Sequence, residues 1–261
     1  MSARPILHSS VRERQDPRMS AASLAEFMIA RPDAQQNILH DCKFSRPPIV
    51  NANGEAIRAL RAYNSDPRRP PEILIRVKEE LTLKISEPTI KPKAREDALR
   101  CIEIIELFEG RENMLGMRKM ALAAAPNFDP IDIEGVTVSI RPDFIVGAGG
   151  RKDRVGTGWL RVAKAPDPEA CKLPTTKERR GEHRREMARY LIALMQILME
   201  TQDRVLGVPD RGLFFVSDLR LGELIGAPPD HTARLRALRA ACRQIREIWP
   251  SIQAKPALYQ K

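Results

Sequence analysis

The chain has 261 residues and a hydrophobic content of 43%, enough for one large domain or a domain with an added lobe. It has no apolar run of the roughly 18 residues that span a bilayer and no secretory signal, so we expect a cytoplasmic protein with no membrane partner. Four widely separated cysteines and only four histidines argue against a zinc site or a disulfide framework.

The net charge of +10 is unevenly distributed along the chain. Residues 151–189 contain twelve Lys or Arg against six Asp or Glu, and residues 230–261 contain seven against two. Clustered positive charge favours a polyanion, because each neutralised phosphate releases condensed counterions. We therefore expect nucleic acid as the partner. The alternatives are an acidic protein partner, or charge that serves solubility alone.

The N-terminal third is predicted to be a flexible tail followed by a helical lobe. Residues 1–19 are polar, contain proline and lack periodicity, which is typical of a flexible tail. Residues 20–90 form the helical N-terminal lobe. Its helices are predicted over 20–30, 32–44 and 53–64, and over 72–85, where helix is preferred to strand.

Residues 91–261 are predicted to form an α/β core with a C-terminal helix. A first helix ends at Gly110, and a last helix covers 231–249 with its apolar residues on one face. Between them, strand segments are predicted over 136–140, 143–146 and 159–164, where Pro142 interrupts the first pair and a glycine-rich loop at 147–158 separates the second. A long helix over 178–203 and a strand over 212–219 follow. The order is helix, three strands, helix, strand, helix.

The segments "RPDFIV" and "GWLRVAK" resemble the core of the PD-(D/E)XK nuclease superfamily, over about residues 91–219. That family has a restriction-endonuclease-like core of a helix, three strands, a helix and a strand. In the family a Pro-Asp pair opens the second strand, and an acidic residue and a lysine separated by one residue lie on the third. Here Pro142 and Asp143 match the pair and Lys164 matches the lysine, whereas the acidic position is Val162.

The resemblance implies a nuclease that depends on Mg²⁺ or Mn²⁺ and acts on DNA ahead of RNA. Phosphodiester hydrolysis needs a cation to offset phosphoryl charge and to activate a water, and Mg²⁺ prefers oxygen ligands. The implied catalytic residues are Asp143, Lys164, which would stabilise the attacking hydroxide or the phosphate, and Glu182 or Glu186, which would replace the missing acid. The implied metal ligands are Asp143, Glu103 or Glu106, and the backbone carbonyl of Ala163. Independently of the resemblance, the basic patch at 151–189 predicts the nucleic-acid contacts Arg151, Lys152, Arg154, Lys177, Arg179, Arg180, Arg184 and Arg185.

Each implied site residue also has a structural interpretation. Asp143 could be a solvated strand residue paired with Arg141, Lys164 a strand-end lysine that snorkels, and the glutamates members of solvated helix faces. The competing function is a catalytically inactive protein of the same fold that binds nucleic acid or assembles with a partner, and Val162 favours it. A third is an interaction protein whose basic helices dock an acidic partner. The oligomeric state stays open.

Overall fold

The computed structural model describes Leu7 and residues 10–45, 52–148, 151–202 and 206–259, with the backbone alone at 148 and 151–153. The chain is an α/β protein, as predicted. No helix in these ranges is both long and apolar enough to cross a bilayer. The helices are α1 (Ala21–Ile29), α2 (Pro32–Lys43), α3 (Gly54–Ser65), α4 (Glu72–Ser86), α5 (Pro92–Leu115), α6 (Pro174–Thr201) and α7 (His231–Ile248).

The strands are short except for one of eleven residues. They are β1 (Arg12–Glu13), β2 (Arg18–Ser20), β3 (Phe44–Ser45), β4 (Ala121–Ala124), β5 (Ile131–Ile133), β6 (Val136–Ser139), β7 (Phe144–Ala148), β8 (Arg151–Arg161), β9 (Val208–Pro209), β10 (Phe215–Asp218) and β11 (Glu223–Gly226). They form a two-stranded, a three-stranded and a six-stranded sheet. The two larger sheets contain both parallel and antiparallel strand pairs.

The first of two compact units combines three separate segments, Met1–Pro48, Phe128–Ile140 and Asp230–Lys261. Its three-stranded sheet has the order β2-β6-β5, in which β2 is parallel to β6 and β5 is antiparallel. α7 packs against β6 and buries an apolar stripe at helical spacing that includes Leu238 and Ile245. This unit therefore depends on strand pairing between parts of the chain more than 100 residues apart.

The second unit consists of Ile49–Asn127 and Arg141–Pro229. Its main sheet has the order β11-β10-β8-β7-β4, with β9 paired to β8. β4, β7 and β8 are antiparallel neighbours, β10 is parallel to β8, and β11 is antiparallel to β10. An apolar core joins one face of this sheet to α3, α4 and α5, and α6 packs against β8, β10 and β11. The predicted boundary at residue 90 lies inside this unit.

Two predictions about the strands need correction. The described residues of the predicted tail include β1 and β2, and Met19 is buried because β2 pairs with β6. The strand at 136–140 and the strand that begins after Asp143 belong to different sheets in different units, since β6 pairs with β2 and β5. The three strands predicted as one group are thus split between two sheets.

Two further predictions failed because a glycine was interpreted from its neighbours alone. The predicted loop at 147–158 is largely β8, and Gly156 and Gly158 lie in it because a Cβ there would collide with Leu213 and with the ring of Phe215. The helix predicted to end at Gly110 continues to Leu115. Gly116, at φ +64, adopts the left-handed conformation that ends it.

Candidate functional site around Asp143

Asp143 lies directly before β7 and is fastened to the neighbouring strand β8. Its backbone N–H donates to the carbonyl of Gly158 at 2.8 Å, and its Oδ2 accepts the backbone N–H of Leu160 at 2.7 Å. Pro142 before it has no N–H to donate. The carboxylate therefore accepts the N–H of Leu160, a backbone donor of β8 that lies past the start of β7. Asp143 is only 7% exposed.

Burial dominates the electrostatics of this carboxyl. It raises the pKa of Asp143 from 3.8 to about 6, against the lowering effects of the Leu160 hydrogen bond and of the Arg61 charge. Arg61 lies on α3 and donates to the carbonyl of Ala125 at 2.9 Å. Among the residues that the structure describes, the charged neighbour that influences the pKa of Asp143 is thus an arginine and not a second carboxylate.

The third-strand motif does not surround Asp143 with polar groups. Val162, at the family's acidic position, is 6% exposed and belongs to the apolar core of the second unit. β8 ends at Arg161, so the strand alternation predicted through Lys164 stops before it, and Lys164 is exposed. The carbonyl of Ala163, an implied metal ligand, accepts Nη2 of Arg184 at 3.0 Å.

The candidate glutamates are bound elsewhere or face solvent. Glu103 accepts Nη2 of Arg220 at 2.7 Å, and Glu106 is exposed on α5. Glu182 and Glu186 both pair with Arg189, the first at 2.8 Å. These contacts place all four in the surface ion pairs or solvated faces that were the alternative interpretation for them.

These placements do not fit a Mg²⁺ or Mn²⁺ site. Such an ion needs several converging oxygens, commonly one or two carboxylates with waters. In the described ranges no three His, Cys, Asp or Glu side chains converge on a common point. Asp143 uses one oxygen for Leu160, and the Ala163 carbonyl already accepts a guanidinium.

Arg184 needs correction as a predicted nucleic-acid contact, because it is fully buried. Its guanidinium binds the carboxylate of Asp218 through Nε and Nη2, each at 2.8 Å, and also donates to the carbonyls of Ala163, Lys164 and Pro166. Arg161 donates to the same carboxylate at 3.2 Å. This buried cluster fastens α6 to the ends of the parallel strands β8 and β10.

Most of the other predicted contacts in this patch are already paired. Arg154 pairs with Asp210, Lys177 with Glu169 and Arg185 with Glu223, while Arg180 donates to the carbonyl of Asp167. Arg179 is exposed, and the side chains of Arg151 and Lys152 lie outside the described residues. Residues 151–189 therefore offer much less free positive charge than their sequence suggests.

The Arg161–Asp218 pair was not predicted, although the sequence contains a signal for it. Each is a charged residue within an apolar run, "WLRVA" and "FFVSDL". A charge in such a run must find a partner when the strand is buried.

No protein-family model matches the chain, and no curated protein matches its sequence.

Proposed function

We propose that this chain is a nucleic-acid-binding protein with a restriction-endonuclease-like core that does not hydrolyse its ligand. The topology of the second unit supports the core assignment. With β5 and β6 set aside as part of the other unit, α5, β4, β7, β8, α6 and β10 follow the order helix, three strands, helix, strand. Asp143 lies at the head of the second strand of that series, beside the third.

The observation that carries the inactive form is the surroundings of Asp143. Its carboxylate is bound to the backbone of β8, and the position two residues after Leu160, where the family has an acid, is a valine in the apolar core. A cation there would have one free carboxylate oxygen and an apolar neighbour where a second charge is required. Binding without hydrolysis fits this arrangement better than catalysis.

Nucleic acid is favoured as the ligand by the net charge of +10 and its clustering. A polyanion with regularly spaced charges gains from many separate basic side chains. An acidic protein remains the competing partner, and the salt dependence of binding separates the two. Neutralising several phosphates makes affinity fall steeply between about 50 and 200 mM salt.

The test measures binding and cleavage on the same labelled substrates. Fluorescence anisotropy with a 20-base-pair DNA duplex and a 20-nucleotide RNA should show binding that weakens steeply with salt. Incubation with Mg²⁺ or Mn²⁺ should leave both substrates intact. Asp143→Asn should bind as wild type does. Cleavage by wild type that Asp143→Asn abolishes would overturn the proposal in favour of a nuclease, with Glu182→Gln and Glu186→Gln as the next variants. Absence of binding to either probe would favour the acidic-protein partner.

A further inference from the structure

Four arginines form one exposed stripe on α7, in the first unit. Arg236, Arg239, Arg243 and Arg246 are spaced by three, four and three residues and are all exposed. This spacing places them within roughly a quarter of the helix circumference, and the helix rises about 15 Å from the first to the last. The opposite side of α7 is buried, so the helix is held by its apolar face while the arginines face solvent.

The C-terminal half of this arginine stripe is built into the fold. Gly135, in the turn between β5 and β6, has φ +87, and a Cβ there would lie 2.5 Å from Cδ of Arg246. The aliphatic part of the Arg246 side chain therefore occupies the space that a side chain at position 135 would fill. Glu134 in the same turn pairs with Arg243 at 3.3 Å. A glycine and an acid of one turn thus orient two of the four arginines.

A buried lysine binds the backbone carbonyls at the C-terminal end of α7. Lys43, which is 5% exposed, donates to the carbonyls of Trp249 at 3.0 Å and Ile252 at 2.8 Å. These carbonyls lie at and just beyond the C-terminus of the helix, where unpaired acceptors collect. The lysine satisfies them and so ties the C-terminal end of the helix that carries the arginine stripe to α2.

The arginines of the stripe form fewer ion pairs than the described basic residues at 151–189. Within the described ranges Arg236, Arg239 and Arg246 form no ion pair with a carboxylate, and Arg243 is the member that does. In residues 151–189, by contrast, six of the twelve arginines and lysines pair with a carboxylate within the same described ranges. Free guanidinium groups on a rigid helix are suited to phosphate oxygens, which they can bind in bidentate geometry.

We infer that the arginine stripe of α7 is the surface that binds the phosphodiester backbone of a nucleic acid. This inference rests on the proposed function and specifies where it resides. A backbone ligand fits because the stripe is a row of four arginines, whose exposed neighbours on α7 include Ala240, Gln244 and a single acid, Glu247. Protein interfaces instead concentrate their energy in aromatic or aliphatic anchors at the centre of the patch. Contacts limited to phosphates carry no sequence preference of their own.

The test compares two variants that each remove three positive charges. Arg236→Ala/Arg239→Ala/Arg246→Ala changes the stripe, and Lys177→Ala/Arg179→Ala/Arg180→Ala changes the patch on α6. Affinity is measured by anisotropy from 50 to 200 mM salt with the same DNA duplex and RNA strand, and circular dichroism checks that both variants fold. The stripe variant should reduce the slope of log affinity against log salt by about 3 and weaken binding at 100 mM roughly 100-fold.

The possible outcomes separate this inference from the proposed function. If the α6 variant keeps the wild-type slope while the stripe variant loses it, the stripe is the binding surface, and the better probe identifies DNA or RNA. If wild type binds and the stripe variant binds equally well, or if both variants lose the same share of the slope, the inference is wrong but the proposed function stands. If wild type does not bind, the proposed function itself fails.

Discussion

The carboxylate of Asp143 and the backbone N–H of Leu160 form a buried hydrogen bond of 2.7 Å between the head of β7 and the body of β8. The side chain acts here as a backbone acceptor would, and it carries a titratable group into a site that is almost closed to solvent. The bond ties strand pairing in the second unit to the protonation state of one carboxyl.

Asp143→Asn should therefore change how stability depends on pH. The folded-state pKa, about 6, exceeds the ordinary value of 3.8, so the unfolded chain loses this proton first as the pH rises. The stability that the protonated carboxyl contributes is present below about pH 4 and is lost as the pH passes through about 6. Asparagine keeps the acceptor oxygen and does not ionise. Urea unfolding should show the variant more stable than wild type at pH 8 by up to about 3 kcal/mol, and the difference should vanish near pH 4. Parallel pH profiles for the two proteins would contradict the burial of this charge.

Asp218→Asn should destabilise the protein by about 3–5 kcal/mol, because it leaves Arg184 and Arg161 buried without their counter-charge. The matched control is Glu223→Gln, which breaks the partly exposed pair with Arg185 and should cost less than about 1 kcal/mol. Denaturant midpoints for the two variants measure the contrast. Equal small losses would mean that water reaches the Asp218 cluster.

Val162→Glu should cost several kcal/mol at pH 7, because it places a carboxylate in the apolar core. The loss should be smaller at pH 5, where a buried glutamate whose pKa is raised by burial keeps its proton. Val162→Thr, of similar size and uncharged, is the control and should show no such pH dependence. A glutamate variant as stable as wild type that cut DNA with Mg²⁺ would contradict both the burial and the inactive site.

Gly135→Ala should destabilise the first unit by about 1–2 kcal/mol, since alanine disfavours φ +87 and its Cβ meets Arg246. Arg246→Ala in the same chain should restore the steric share of that loss and leave the backbone share, which a double-mutant cycle separates. Gly110→Ala is the control: it lies inside α5, where the new methyl would meet nothing within 4 Å beyond the adjacent helix backbone, and it should stabilise the helix by roughly 0.5–1 kcal/mol. A destabilising Gly110→Ala would show that the helix needs that glycine.

The helices were predictable because their signals are local. Ser20 precedes α1 and accepts the N–H of Ser23, and Pro32 and Pro92 occupy first turns, so sequence spacing and capping chemistry sufficed. The strands depend on distant partners. Gly158 looks like a loop residue until Phe215, 57 positions later, is seen to cover it, and nothing near Val136 indicates that β6 pairs with a strand at Arg18.

The candidate site divides in the same way. The position of Asp143 at a strand head followed from Pro142 and the alternation around it. The surroundings of Asp143 could not be predicted in this way, because Arg61 comes from another element. The same holds for Arg184, whose partners lie on other elements. A long side chain can reach several neighbours in three dimensions. The charge count of residues 151–189 therefore could not show that six of the twelve basic residues pair with a carboxylate in the part of the chain that the structure describes.

The segments of the two units alternate along the sequence, and this affects the order in which the units can fold during synthesis. All of the second unit has been translated by Pro229, whereas the first still lacks its last segment, which contains α7. A nascent chain can thus complete the second unit while the sheet of β2, β5 and β6 still lacks α7, the helix that packs against it. Contacts of such long sequence separation close slowly. We therefore expect the second unit to fold before the first, so that the N-terminal strands of the first unit stay exposed to aggregation until α7 is available.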